Sequence, residues 1–248
     1  MEENFSVVYG RNPVREILKS KVKGTLHIQQ GANDFQIKDI VDAAEAQNIE
    51  IVYVDKAMFD KFYGSKKSQG VALKLGGSPN PAYLKTEEDF DAEISVSEST
   101  DPIVILDGVK DVGNLGAIIR TSLLFGVKYV ILPKNNSAPI NDLVVKRSAG
   151  AVFQMKIVYV TNISNTIEKL KKSGYWIYAA SGDGTDISKM KFDGKSAFVF
   201  GEEGSGIRPL VKKNCDQIIK ISTNDKLDSL NLSVSVGVVL YETTRGRF

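Results

Sequence analysis

The chain has 248 residues, 42% of them hydrophobic and 25% charged, with a net charge of +2 and a pI near 8.4. This is the make-up of a soluble globular protein of one or two domains, able to bury a core without disulfides or metal. One cysteine (Cys215) and one histidine (His27) exclude a disulfide framework, argue against a Cys/His metal centre and leave no Cys/His or Ser/His catalytic pair. No apolar run reaches membrane-spanning length and MEENFSVVYG lacks a signal-peptide core, so the expectation is a cytoplasmic protein that does not span a membrane.

In chain order, Asn12-Pro13 reads as a cap followed by proline at the first helical position, with Val14, Ile17 and Leu18 on one face. Strands are expected over 25–29, 49–54 and 70–75, with helices over 33–47 and from Asp55 to Tyr63. His27, inside an apolar-flanked strand, reads as structural. Residues 1–75 thus form an αβ unit. The next stretch, residues 76–101, loses periodicity and gathers Gly, Pro and Ser, and its residues 76–100 set a single lysine against six acids; it reads as a linker.

From Pro102 the pattern restarts. Strands are expected at 103–106, 129–132, 155–160, 176–180, 197–200 and 217–221, with helices at 115–125, 142–147, 163–172 and 209–214. Strands alternating with helices predict a parallel α/β sheet covered on both faces over 102–248. Ligands of such sheets bind beyond the carboxyl ends of the strands.

Three strand-end segments are rich in Gly, Asn or Ser. In DGVKDVGNLGAIIR, Asn114 suits either a helix cap or a functional side chain, and Arg120 suits either a surface position or an anionic ligand. VFGEEGSG is neither GxGxxG nor a P-loop, and its two acids would repel phosphate; a plain turn and a ligand-approaching loop both fit it. The tail, Ile221 to Glu242, is too apolar to be left exposed. Its Ser229-Leu230-Asn231-Leu232-Ser233 run alternates like a strand, yet Ser229, Ser233 and Gly237 also fall on one helical stripe.

Together NLGAIIR, VFGEEGSG and ISTNDKLDSLNLSVSV resemble, in order, the three motifs of the SpoU/TrmH family of RNA ribose 2′-O-methyltransferases, over about residues 102–245. YGRNPVREIL and SQGVAL resemble the L30e-like RNA-binding domain of the branch that modifies a guanosine of 23S ribosomal RNA. The resemblance implies a SPOUT fold with a C-terminal trefoil knot, a homodimer, S-adenosylmethionine as cofactor, no metal, and RNA as partner, with 23S rRNA ahead of tRNA. It implies that the tail is a helix starting near Asn231. It carries catalytic roles to Asn114, Arg120, Glu203, Ser229 and Asn231, with Glu203 orienting Arg120 or accepting a proton, and cofactor contacts to Gly201, Ile221 and Leu230. Arg11, Arg15, Lys19, Lys66 and Lys67 are the expected RNA-binding residues of the first unit. Two departures stand out: Val112 where proline is common, and Ser222-Thr223 for the usual Pro-Met of the cofactor loop. A catalytically silent RNA-binding protein is the alternative in which the fold persists without transfer.

Overall fold

Two β-sheets organise the chain in a computed structural model that describes residues 7–20, 22–64, 68–76, 84–224 and 229–247. The first contains β1 (Val7–Tyr9), α1 (Arg11–Leu18), β2 (Gly24–Gln29), α2 (Asp34–Ala46), β3 (Glu50–Val54), α3 (Lys56–Tyr63) and β4 (Val71–Leu75). Its strand order is β1-β4-β2-β3, with β4 antiparallel to both neighbours and β2 parallel to β3. The expected helix at Asn12-Pro13 begins earlier, at Arg11, with Gly10 preceding it, and it buries Val14, Ile17 and Leu18 as its spacing requires. Asn33 and Asp55 cap α2 and α3 by accepting from backbone N–H groups. His27 has the structural role expected of it: its Nδ1 lies 2.6 Å from the Tyr63 hydroxyl, and burial, then the charge of Lys74, lowers its pKa.

The second sheet has seven strands, all parallel, in the order β11-β9-β10-β6-β7-β8-β5. In chain order its elements are β5 (Leu84–Lys85), α4 (Glu87–Val96), β6 (Ile103–Asp107), α5 (Val112–Leu124), β7 (Tyr129–Pro133), α6 (Asp142–Arg147) and β8 (Ile157–Val160). Then follow α7 (Ile163–Lys172), β9 (Trp176–Asp186), β10 (Ser196–Gly201), α8 (Pro209–Lys213), β11 (Gln217–Lys220) and α9 (Leu232–Thr244). Every residue of β6, β7 and β10 is buried, the pattern of strands covered on both faces. Leu115, Ile118 and Ile119 of α5, Val144 of α6 and Val236, Val239 and Leu240 of α9 fill one core; Phe90 of α4, Ile167 of α7 and Val211 of α8 join the other.

Two expectations need correction. The stretch 76–101 is not only a linker: β5 pairs with β8 at the sheet edge, and α4 packs on the sheet. Thr86 caps α4, three acids occupy its first turn where the helix dipole favours them, and Phe90 and Ile94 are buried one turn apart. Three of its acids find cations far away in sequence: Lys134 with Glu87 at 2.8 Å, Lys156 with Glu93 at 2.6 Å and Lys169 with Asp91 at 2.5 Å. Burial pushes the Glu93 pKa up, but hydrogen bonds from Lys156 and Tyr129 outweigh it and leave the carboxyl below its ordinary value. Secondly, β9 does not stop at Ala180 but runs on through SGDGTD, because β11 pairs with it there across an irregularity between Ile218 and Ile219.

The docking of α4 is directly measurable. Phe90 is 1% exposed and meets Tyr129 edge-on at 5.0 Å between ring centroids. Phe90→Ala should cost about 3–5 kcal/mol in urea unfolding; a cost under about 1 kcal/mol would mean that α4 is not part of the core.

Candidate active site

The three segments singled out above lie at the carboxyl edge of the parallel sheet. Since β10 pairs with β6 and Gly201 is in register with Asp107, the first two loops leave the sheet side by side. The third leaves from the outer strand β11, yet Asn231 bonds to Asn114 and Glu203 of the other two, which follow β6 and β10 on the far side of β9.

The meeting point is a carboxylate oxygen. Glu203 Oε1 accepts from Asn114 Nδ2 at 3.0 Å, from Asn231 Nδ2 at 2.9 Å and from the backbone N–H of Leu232 at 3.3 Å. Asn231 Nδ2 also donates to Asn114 Oδ1 at 3.0 Å. The other end of the Asn231 amide caps α9, its Oδ1 accepting from Ser233 N at 2.9 Å, Val234 N at 3.4 Å and Ser233 Oγ at 2.6 Å. Glu203 therefore sits where the dipole of a 13-residue helix favours negative charge.

Each partner is aimed by its own element. The alternatives for Asn114 resolve against a cap: Asp111 caps α5, accepting from Asn114 N at 2.6 Å, and leaves the asparagine side chain free. The VFGEEGSG loop closes on itself, Glu202 and Gly206 exchanging backbone hydrogen bonds of 3.1 and 2.9 Å. Gly201 is required at its start, because a Cβ there would run into the backbone of Gly206 and Ile207. Of the two acids, Glu202 turns away to Lys110 at 2.7 Å, which lowers its pKa, and Glu203 turns to the asparagines. The tail forms a helix from Leu232, as the resemblance implied and as strand alternation did not; Ser229 lies just outside it. Gly237 faces α5, where a Cβ would meet Thr121 Cγ2 at 3.7 Å.

Arg120 does not join this cluster. It is exposed on α5 and, among the described residues, has no hydrogen-bond or ion-pair partner, so the expected orientation of Arg120 by Glu203 is not found. Ser229 and Leu230 are exposed on the approach to α9, and Ile221 is half-buried at the end of β11. Where the family pattern fails, Ser222 Oγ donates to Asp186 and ties the loop to the end of β9; Asp186 falls to about 2, chiefly through that bond and then through Ser188.

In the first unit, the cations expected to meet RNA are engaged internally. Arg15 pairs with Asp39 at 2.5 Å and donates to the Gln36 carbonyl at 2.8 Å, Arg11 donates to Gln69 and Gln36, and Lys19 pairs with Glu16 at 2.8 Å. Arg11 and Arg15 join α1 to α2, and phosphate would compete with those bonds. Lys66 and Lys67 lie outside the described residues.

Sequence reading missed Asp107 and Arg208. The Asp107 side chain is fully buried and accepts from Arg208 N at 2.9 Å and Nε at 2.8 Å, with Nη2 at 2.6 Å. A carboxylate at the end of four apolar strand residues was the available signal, since such a group must be paired.

Comparisons with known proteins agree with this geometry. The fold is that of two-part SpoU methyltransferases: the SpoU methyltransferase AviRb from Streptomyces viridochromogenes matches 98% of this chain and 90% of its own with a TM-score of 0.79 at 20% identity. The AdoMet-bound rRNA methyltransferase from Sinorhizobium meliloti matches 97% and 87% with a TM-score of 0.75 at 22% identity. A profile of the SpoU rRNA methylase family matches residues 101–241, and one for RNA 2′-O ribose methyltransferase substrate binding matches residues 7–81. The chain belongs to the SpoU family of RNA methyltransferases, whose methyl donor is S-adenosylmethionine. Among its relatives, an uncharacterized tRNA/rRNA methyltransferase of Borreliella burgdorferi is 39% identical over 84% of this chain and 92% of its own. The 23S rRNA (guanosine-2′-O-)-methyltransferase RlmB of Xanthomonas campestris pv. campestris is 32% identical over 98% and 92%.

Asn231→Ala removes a cap and two of the bonds of the cluster. It should cost about 1–2 kcal/mol, read as a fall in Tm of about 2–8 °C; an unchanged Tm would show that the cap does not hold α9.

Proposed function

We propose that this chain transfers the methyl group of S-adenosylmethionine to a ribose 2′-hydroxyl of RNA, and that the target is a guanosine of 23S ribosomal RNA. The observation that carries the reading is the Asn114–Glu203–Asn231 cluster at three converging strand ends, beside a helix that presents Arg120 without a partner among the described residues. The finer target rests on full-length similarity to the Xanthomonas relative.

The residues present fit the cofactor. Ile221 and Leu230 lie in neither helix nor strand, leaving backbone groups open to an adenine edge, and at Gly204 and Gly206 an added Cβ would meet nothing within 4 Å. Gly201, Ile221 and Leu230 would hold the adenosine part. When bound, the cofactor supplies an electrophilic methyl carbon on a sulfonium. The ribose oxygen forms the new O–C bond as the C–S bond breaks, and the hydroxyl proton leaves. Holding these atoms close and collinear supplies much of the rate. Arg120 contacts RNA phosphate and steadies the developing negative charge; a guanidinium keeps its proton and so is no base. Asn114, Ser229 and Asn231 position the substrate. Oε1 of Glu203 holds the asparagines, and its second oxygen, unbonded among the described residues, takes the proton.

The same reading assigns residues 1–75 to grasping RNA and the second sheet to chemistry. It includes the trefoil knot, supported by the bonding of Asn231, which comes after β11, to residues that follow β6 and β10. It includes a homodimer as well, supported by an exposed apolar stripe of Val234, Val238 and Tyr241 on α9 next to Leu124 of α5. Val238→Glu should convert the protein to a monomer in sedimentation; persistence of the dimer would move the interface elsewhere.

Labelled S-adenosylmethionine incubated with ribosomal RNA and, separately, with tRNA from cells lacking the protein tests the activity. Incorporation at a guanosine 2′-oxygen of 23S rRNA is expected, and no incorporation into either RNA refutes the reading. Arg120→Ala should bind the cofactor normally yet lose about 10²-fold or more in transfer; wild-type transfer would remove Arg120 from the mechanism.

A further inference from the structure

We propose that Arg147 is a second phosphate-binding residue, gripping the RNA backbone beside the target nucleotide together with Arg120. The proposal rests on the methyltransferase reading above and extends it to a residue outside the three motifs.

Arg147 is the last residue of α6, which packs tightly on α5. The packing is set by Gly116: a Cβ there would meet Arg147 Cβ at 2.5 Å, Val144 O at 3.1 Å and Ser148 N at 3.2 Å. Gly116 is two residues beyond Asn114 and one helical turn before Arg120, and residues four apart share a face. Two arginines are thereby brought to one stripe of α5, the helix whose first turn carries Asn114 on another face. Both are exposed, and neither has a hydrogen-bond or ion-pair partner among the described residues. Lys146, exposed beside Arg147, adds a third cation without a partner among those residues.

The contrast with the other cations near the strand ends is informative. Lys110, Arg208 and Lys212 each pair with a carboxylate, Glu202, Asp107 and Asp183 respectively, while Lys220 at the end of β11, like Arg120 and Arg147, has no side-chain partner among the described residues. Arg120 and Arg147 are thus open to an anionic substrate, and planar guanidinium groups match phosphate oxygens in pairs.

The position also fits the route of the substrate. Three residues beyond Arg147, Gly150 lies against Pro13 and Glu16 of α1, and Gln154 Nε2 donates to Glu16 Oε2 at 3.0 Å. Arg147 thus lies close in sequence to the contact between the second unit and α1 of the first. RNA held by the first unit with its ribose at the Asn114–Glu203–Asn231 cluster passes over Arg147, and the phosphates flanking the ribose are what two arginines on one stripe can hold.

The test uses the full chain, S-adenosylmethionine and ribosomal RNA from cells lacking the protein. Arg147→Ala keeps the Cβ that packs on Gly116. It should raise KM for RNA about tenfold, leave KM for S-adenosylmethionine unchanged, and reduce the slope of log affinity against log salt by about 1 in filter binding. Arg147→Lys should recover part of the lost affinity. Lys172→Ala, which removes an exposed charge from α7 on the other face of the sheet, should change none of these. An Arg147→Ala enzyme with wild-type KM and salt slope overturns the proposal. So does a loss confined to kcat, or a Lys172→Ala effect of equal size. If the wild-type protein transfers no methyl group, the methyltransferase reading fails first; filter binding then still decides whether Arg147 contacts RNA.

Discussion

A single carboxylate oxygen holds the carboxyl edge of this protein together. Glu203 Oε1 takes hydrogen bonds from a loop after β6, from the residue that caps α9 and from the first N–H of α9 itself. Asn114, Glu203 and the Asn231-Leu232 pair are far apart in sequence, and α9 comes from the far side of the sheet to reach the other two. Were Glu203 removed, Asn114 and Asn231 would keep one bond between them, and the first turn of α9 would lose its anion. The position of α9, and with it that of Leu230 just before its cap, depends on this junction.

What makes the junction possible is packing beneath it. The fully buried central strands β6, β7 and β10 fix where the loops start, and α5 is pressed between the sheet, α6 and α9. A small residue sets the closer of these approaches: Gly116 admits α6. The helix that bears Asn114 is thus located to within a side chain's width before any polar contact forms, and hydrogen bonds then choose among nearly aligned partners.

Much of this was legible in the sequence. Periodicity gave the parallel α/β core, because strands such as IVILD and helices such as ISNTIEKLKK carry their pattern locally. The three motifs placed Asn114, Glu203 and Asn231 at strand ends, although only coordinates could bring them together. What stayed hidden was non-local. The tail satisfies two periods at once, and its helical form is settled by the Asn231 cap and by packing on α5. Residues 84–96 look like a linker since only Phe90 and Ile94 mark their buried face, while the lysines that hold their acids come 40 or more residues later. Arg11 and Arg15 look like free cations until the fold supplies Gln36 and Asp39.

The pairing of the buried Asp107 carboxylate with the exposed Arg208 has a consequence for the second-motif loop. Swinging the second-motif loop away from β6 would strand a carboxylate with no exposed surface, at a cost of about 3–5 kcal/mol. On the opposite side, Ser222 in the described segment 221–224 is held by its donation to Asp186, a solvent-facing bond. The second-motif loop is therefore tied through a carboxylate with no exposed surface, and the start of the tail segment through one in water.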